Sequence, residues 1–408
     1  MKMQFGSTAS VDNLSRRSWL SGAAGMAAVH ALHAAVKPVR ITAVDSWAVR
    51  IPVSEAEAAA GVQNRFTVVK ISTDAAIAGY SFAGPRAEAL PELRAMLAGK
   101  DLFNLDAHLR AGLTRFGGTE HAVWDAIGRI AGQPVYKLLG SPRDRMHAYL
   151  TCVWKGPADQ AHVPPQDQVA MAVKIRNAGF PGMKMRIWRP NPMDDVEVCR
   201  QILEAVGKNF HLMVDRTAQM PVSMAGQKVW DFETGLKVAQ ALQKIGVYWL
   251  EEPFHRDDLD SHARLAAMVD ILITGGEGYN RIESYRESLL RRAYDIVQPD
   301  PAHAGGILQC RKVAILAESF HVPAIPHGYI GLPLAGWLQG ALAMGSPWQE
   351  VTMVSPPLLP EEQWAPGLKL LRSRAMFRFE NGDILAPPYP GIGLDIDEEA
   401  LEKYRVRA

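Results

Sequence analysis

Cysteine is nearly absent: the 408 residues contain three, Cys152, Cys199 and Cys310. They are widely spaced with no Cys-x-x-Cys pair, which excludes a disulfide scaffold and a cysteine-ligated zinc site. Each reads as a small buried hydrophobe rather than a reactive thiol. An excess of charge of either sign is missing too. Forty-four Lys and Arg stand against 43 Asp and Glu, a formal net charge of +1. A nucleic-acid binder needs a basic face, and a disordered chain needs a surplus of one sign. Long apolar runs are also lacking. The best candidate, residues 15–36 (SRRSWLSGAAGMAAVHALHAAV), is Ala/Gly-rich and too short and weak to span a membrane. What is present suits an ordinary globular protein with a large core: 48% hydrophobic and 21% charged residues. The length fits two or three domains, or one large α/β barrel with a smaller module.

Residues 15–36 still carry information. Ser15-Arg16-Arg17-Ser18-Trp19-Leu20 precedes a weakly apolar run without formal charge up to Lys37. This resembles a twin-arginine export signal, with small residues near Ala31 and Ala34 suiting cleavage. The alternative is a chance Arg-Arg pair on a tail of a cytoplasmic protein. The export reading places the protein in the periplasm or beyond, through the twin-arginine machinery, and sets residues 1–37 outside the fold.

From residue 38 the pattern changes. Residues 39–51 and 66–72 are β-branched and aromatic and read as strands, with 53–65 between them as a loop. Residues 73–80 lead into another short strand. Val123, Ile127 and Ile130 lie on one face of a helix over 121–139, broken by Gly140-Ser141-Pro142. Residues 38–145 therefore read as a small α+β domain. Eight short apolar runs follow, separated by helical stretches: 146–153, 183–188, 211–215, 247–252, 271–277, 294–300, 322–327 and 348–353. Strands alternating with helices indicate parallel βαβ units, and eight of them fit a (β/α)8-type barrel, TIM-like and modified in one unit, over 146–365. Residues 366–408 are Pro/Gly-rich with strand-like pieces and are expected to return to the first domain.

A barrel gathers its chemistry at the C-terminal ends of its strands. Here those ends carry Lys184 and Arg186, Asp215, Glu251 and Glu252, Glu277, Asp300, His327 and Glu350. From Asp215 to Glu350 the successive intervals are 36, 26, 23, 27 and 23 residues, each about one strand-helix repeat. Asp215, Glu251 and Glu277 come from consecutive units. Three carboxylates that close would repel unless a cation neutralised them, and an all-oxygen set favours Mg²⁺ or Mn²⁺ over zinc. The alternative is three separate solvated carboxylates at loop starts, some of them helix N-caps. Asp300, one unit before His327, can fix its tautomer as a dyad, or can simply cap the helix after Pro301. Lys184 and Arg186 alternate on one strand and point to one face, toward an anionic ligand or the acids, or toward surface acids. Gly305-Gly306 is a weak phosphate-loop signal and reads as backbone packing.

These motifs resemble the enolase superfamily, and within it the mandelate racemase-like group, over about residues 39–400. The helix HAVWDAIGRIAGQPVYKLLG (121–140) matches the signature joining cap to barrel. GMKMRIW, LMVD, WLEEPF, ITGGE, IVQPD with a following Gly-Gly, IPHG and WQE occur in the family's order. The resemblance implies a barrel with an N-terminal α+β capping domain, and Mg²⁺ held by Asp215, Glu251 and Glu277 against an enediolate. It implies that His327, paired with Asp300, is a general base or acid, and that Lys184 and Glu350 contact the substrate carboxylate. Residues 53–65 and 82–86 would close over the substrate, with Arg65 and Arg86 as candidate contacts. A homo-oligomer is implied as well. Two departures stand out. Arg186 replaces the second lysine of a Lys-x-Lys pair, and arginine is a poor base. Thr217 stands where relatives often carry Asn.

One good base on one face suits an acid-sugar dehydratase: a small carboxylate substrate loses its α-proton to His327 and then its 3-hydroxyl as water. The alternatives are a racemase or epimerase using a second group such as Arg186, a cycloisomerase, or an exported non-catalytic protein that captures acid sugars.

Overall fold

Three antiparallel strands open the described structure: β1 (Ile41–Arg50), β2 (Arg65–Thr73) and β3 (Ala78–Ser81), in the order β1-β2-β3. The computed structural model describes residues 37–154, 163–217, 229–354 and 358–407. Its elements belong to one contact unit, Arg40–Ala408. The Ser15–Leu20 box lies outside the described residues. No described helix is long and apolar enough to cross a membrane.

The loop expected over 53–65 contains a helical turn, Glu55–Ala59. Its cause is a capping box: Ser54 Oγ accepts from Glu57 N at 3.2 Å, and Ser54 N donates to Glu57 Oε2 at 2.7 Å. The helix Thr119–Ala131 packs on β3 at Gly79, where a Cβ would sit 2.1 Å from Ala122 O. Its Asp125 is buried and accepts from Tyr80 N (2.8 Å), Ile392 N (2.9 Å) and Arg129 Nε (2.7 Å). One side chain thus ties the helix to β3 and to the C-terminal segment. The single helix expected over 121–139 is in fact two. Gly132 turns left-handed at φ 65° and Pro134 precedes a separate turn, Val135–Leu138.

The parallel strands are β4 (Arg145–Val153), β5 (Gly182–Arg186), β6 (His211–Asp215), β7 (Trp249–Glu251), β8 (Leu272–Gly275), β9 (Ile296–Val297) and β10 (Trp348–Val354). β10 pairs with β4 and closes the barrel. The strand expected over 322–327 is reduced to single bridges, Ala324 to Val297 and Tyr329 to Val351. Val297 N still donates to Pro323 O and Ile325 N to Val297 O, each at 3.0 Å, but Pro323 and Pro326 have no N–H with which to extend the pairing. Tyr149, Met213, Trp249, Ile296, Ile325 and Trp348 fill the barrel beneath its polar mouth. A hairpin of β11 (Arg378–Glu380) and β12 (Asp383–Leu385) pairs with the start of β4. The last helix, Glu398–Lys403, leads back to β1, where Arg50 N donates to Tyr404 O at 2.9 Å. All three cysteines are buried and free, and burial pushes their thiols up.

Candidate active site

Parallel register delivers the charged side chains to one mouth. Arg186 pairs in register with Asp215, and Asp215 with Glu251, so three adjacent strands end in a row. Lys184, two residues before Arg186, shares its face and lies opposite Thr151 of β4. Lys184, Asp215 and Glu251 are each 1% exposed, and Glu350 is fully buried. Buried charge persists only when paired, and here it is. Lys184 Nζ lies 2.8 Å from Glu251 Oε2, 3.0 Å from Glu350 Oε1 and 3.9 Å from Asp215 Oδ2. Arg186 Nη1 lies 2.9 Å from Asp215 Oδ2 and also reaches Thr217 Oγ1, which donates to Asp215 Oδ1 at 2.6 Å. Thr217 takes a positive φ of 47°.

Desolvation works against the Lys184 ammonium, but Glu251 and Glu350 hold its pKa well above the ordinary value. Burial raises Glu251 to about 7, against the pull of Lys184. Burial would raise Glu350 as well, but Lys184 and His327 bring it down to about 2.

Across the mouth, His327 Nδ1 lies 2.8 Å from Asp300 Oδ2, and Nε2 lies 3.3 Å from Glu277 Oε2. Asp300 combines the two sequence readings. It caps the short helix Pro301–Ala304, accepting from Ala302 N at 2.6 Å, and it holds the imidazole. Burial disfavours the charged ring, yet Glu277, Glu350 and Asp300 raise His327 to about 10.

Four carboxylates, Asp215, Glu251, Glu277 and Glu350, face two permanent cations, Lys184 and Arg186, so acids outnumber permanent cations at the mouth. Asp215 Oδ2 is buried and, although Arg186 Nη1 lies 2.9 Å away, receives no well-aligned hydrogen bond. The donor set is oxygen only. On these grounds the residues fit a hard divalent cation. As the side chains stand, no three ligating groups among the described residues converge into a metal-ligating group. Lys184 and Arg186 lie against the acids instead.

Arg65 and Arg86 are exposed, and no described hydrogen bond or ion pair joins either to this cluster. Three participants escaped the sequence reading. Thr151 Oγ1 donates to Glu350 Oε1. Gln298 Nε2 donates to Glu251 Oε2 at 2.9 Å. Tyr329 Oη donates to both oxygens of Asp300 at 2.9 Å. Gln298 and Tyr329 each stand two residues from a named site residue, Asp300 and His327, and period-two alternation could have found them. The Gly305-Gly306 pair serves packing. Gly306, at φ 93°, admits the Glu120 carboxylate to the N–H of Ile307 at 2.8 Å.

A family model described as enolase C-terminal domain-like matches residues 167–400. The chain belongs to that family. Within the family, the arabinonate dehydratase of Saccharolobus solfataricus is 32% identical over 293 residues, covering 71% of this chain and 72% of its own length. A D-galactonate dehydratase of Ralstonia nicotianae is 32% identical over 364 residues, covering 82% and 89%. The crystal structure of D-glucarate dehydratase from Agrobacterium tumefaciens, complexed with magnesium, superposes with a TM-score of 0.75 at 24% identity. It covers 91% of this chain and 100% of its own. That likeness establishes the barrel with its strand-rich cap.

Proposed function

We propose that this protein is a Mg²⁺-dependent acid-sugar dehydratase, able to use Mn²⁺ in place of Mg²⁺. The observation that carries the reading is the His327–Asp300 dyad facing the Lys184 and Glu350 pair across one mouth, with arginine rather than lysine at position 186. The dehydratase relatives support it.

The chain's own groups perform the steps. Lys184 receives and orients the substrate carboxylate, and Glu350, 3.0 Å away, holds the ammonium in place. His327 Nε2 takes the proton from the carbon beside it, and the electron pair moves into the carboxylate to give an enediolate. Asp300 keeps Nδ1 protonated throughout. The same imidazolium then returns its proton to the departing 3-hydroxyl, which leaves as water. The enol tautomerises to the 2-keto-3-deoxy acid. A divalent cation on Asp215, Glu251 and Glu277 would supply charge against the enediolate and offset the Glu277 charge that keeps His327 protonated. Arg186, always protonated, cannot serve the opposite face as a base. The Ser15–Leu20 box supports export of the folded enzyme.

The test is mass spectrometry of Mg²⁺-loaded protein incubated with a sugar-acid library in D₂O. Loss of one water from a library member supports the reading, and His327→Asn should abolish that turnover while Mg²⁺ still raises the Tm. Deuterium gain without water loss points to an epimerase instead. Retained dehydration by His327→Asn would sink the mechanism.

A further inference from the structure

We propose that Tyr329 is a positioning residue for the dyad, whose hydroxyl locks the Asp300 carboxylate in the orientation that aims His327. The kinetic part of this inference rests on the dehydratase reading; the geometric part does not.

A carboxylate held only by one imidazole can rotate about its Cβ–Cγ bond and swap oxygens. Asp300 cannot. Its Oδ1 accepts from Ala302 N at 2.6 Å, and its Oδ2 faces His327 Nδ1 at 2.8 Å. Tyr329 Oη sits 2.9 Å from both oxygens and closes the remaining edge with a bifurcated donation. A donor in that place favours the ionised carboxylate. An ionised Asp300 demands a proton on His327 Nδ1. That leaves Nε2, on the side of Glu277, as the nitrogen through which His327 gives and takes a proton.

The phenol is itself held from behind. The Tyr329 ring packs on Trp337 with centroids 4.6 Å apart and planes tilted by 33°, and Trp337 meets His121 edge-on at 3.9 Å. His121 belongs to the cap helix Thr119–Ala131, and Trp337 to the barrel helix Leu334–Met344. Gly336 makes this approach possible, because a Cβ there would fall 2.2 Å from His121 Nδ1. Thr352 N donates to Tyr329 O at 3.2 Å and fixes the main chain to β10. A continuous aromatic contact therefore runs from cap helix to dyad. A tyrosine needed only to fill space against Trp337 would work equally well as phenylalanine.

That equivalence supplies the test: Tyr329→Phe in the full chain. A hydrogen bond to a charged group corresponds to a fall of about 10- to 100-fold in kcat. KM should stay within about twofold, because Tyr329 bonds to Asp300, and Tm should fall by no more than about 6 °C. Exchange of the substrate α-proton should slow in parallel with dehydration. Independently of any substrate, the Nδ1–H proton resonance of His327 in ¹⁵N-histidine-labelled protein, assigned by its loss in His327→Asn, should move in Tyr329→Phe. Unchanged kcat, or a Tm loss with the Nδ1–H resonance unmoved, would overturn the proposal and leave Tyr329 as packing. If the parent protein turns over no acid sugar, the dehydratase reading fails while the resonance still decides the role of Tyr329.

Discussion

Replacing Lys184 with Met probes the electrostatics of the barrel mouth most directly. The ammonium is 1% exposed, 2.8 Å from Glu251 and 3.0 Å from Glu350, with Asp215 at 3.9 Å. Met fills similar space and removes the charge. Two buried carboxylates then lose their cation, and Arg186 is bound to Asp215 and cannot replace it. Breaking a buried ion pair by removing one partner costs about 3–5 kcal/mol. At about 2 °C per kcal/mol for a large chain, the Tm in chelator should fall by about 6–10 °C near pH 8. The pH dependence has a definite sign. Glu251, already raised to about 7 mainly by burial, loses the partner that held it down. Its folded-state pKa then lies still further above the unfolded value, so the folded protein takes up a proton as pH falls. The deficit should be greatest near pH 8 and shrink toward about pH 6. Millimolar Mg²⁺ should raise the Tm of the variant more than that of the parent, because it supplies charge the variant lacks. Scanning calorimetry of both proteins in chelator at the two pH values, then with Mg²⁺, measures all of this. A variant within about 2 °C of the parent in chelator near pH 8, or a deficit that grows on acidification, would refute the reasoning.

Two further substitutions test packing and titration. Gly306→Ala should lower the Tm by about 6 °C, from about 3 kcal/mol of combined cost, because φ is 93° and the new methyl would sit 2.1 Å from Glu120 Oε2. Gly132→Ala, left-handed but with nothing within 4 Å, should cost only about 1–2 kcal/mol, and equal losses in calorimetry would contradict this account. His262 is fully buried, and burial pushes it down to about 4. The unfolded chain therefore binds the extra proton between about pH 6.5 and 4, so stability should fall on acidification by about 1.4 kcal/mol per unit from this residue. The difference in pH slope between parent and His262→Gln, read from Tm across that window, isolates it; parallel slopes would show that His262 does not stay neutral.

Much of the architecture could be read from pattern alone because parallel barrel strands are short, buried and regularly spaced. Reading failed where one residue overruled the pattern. Pro323 and Pro326 shortened the seventh strand to single bridges, Gly132 ended a helix whose apolar face continued, and Ser54 with Glu57 made a helical turn in a segment read as loop. In the site, the charged residues were visible because charge at a buried strand end is anomalous. Thr151, Gln298 and Tyr329 were not, since a neutral polar residue there is unremarkable until its partner is known. Arg65 and Arg86, both exposed, make no described hydrogen bond or ion pair with the cluster, and nothing in their spacing ties them to the mouth.

The double duty of Asp300 shows why a bland reading and a functional one need not compete. As a helix cap it needs an acceptor at Oδ1; as a dyad member it needs an acceptor at Oδ2. A carboxylate supplies both only if it cannot turn. The cap fixes one oxygen to the main chain, Tyr329 closes the remaining edge, and the other oxygen is left in one place for His327. The helical turn after Pro301 is thus the anchor from which the base is aimed. The same economy holds for Lys184. Its ammonium neutralises buried acids, and with substrate bound it would stand beside another carboxylate. A cation of fixed position serves both states, because what the site requires in each is positive charge at that point and no reorganisation to deliver it.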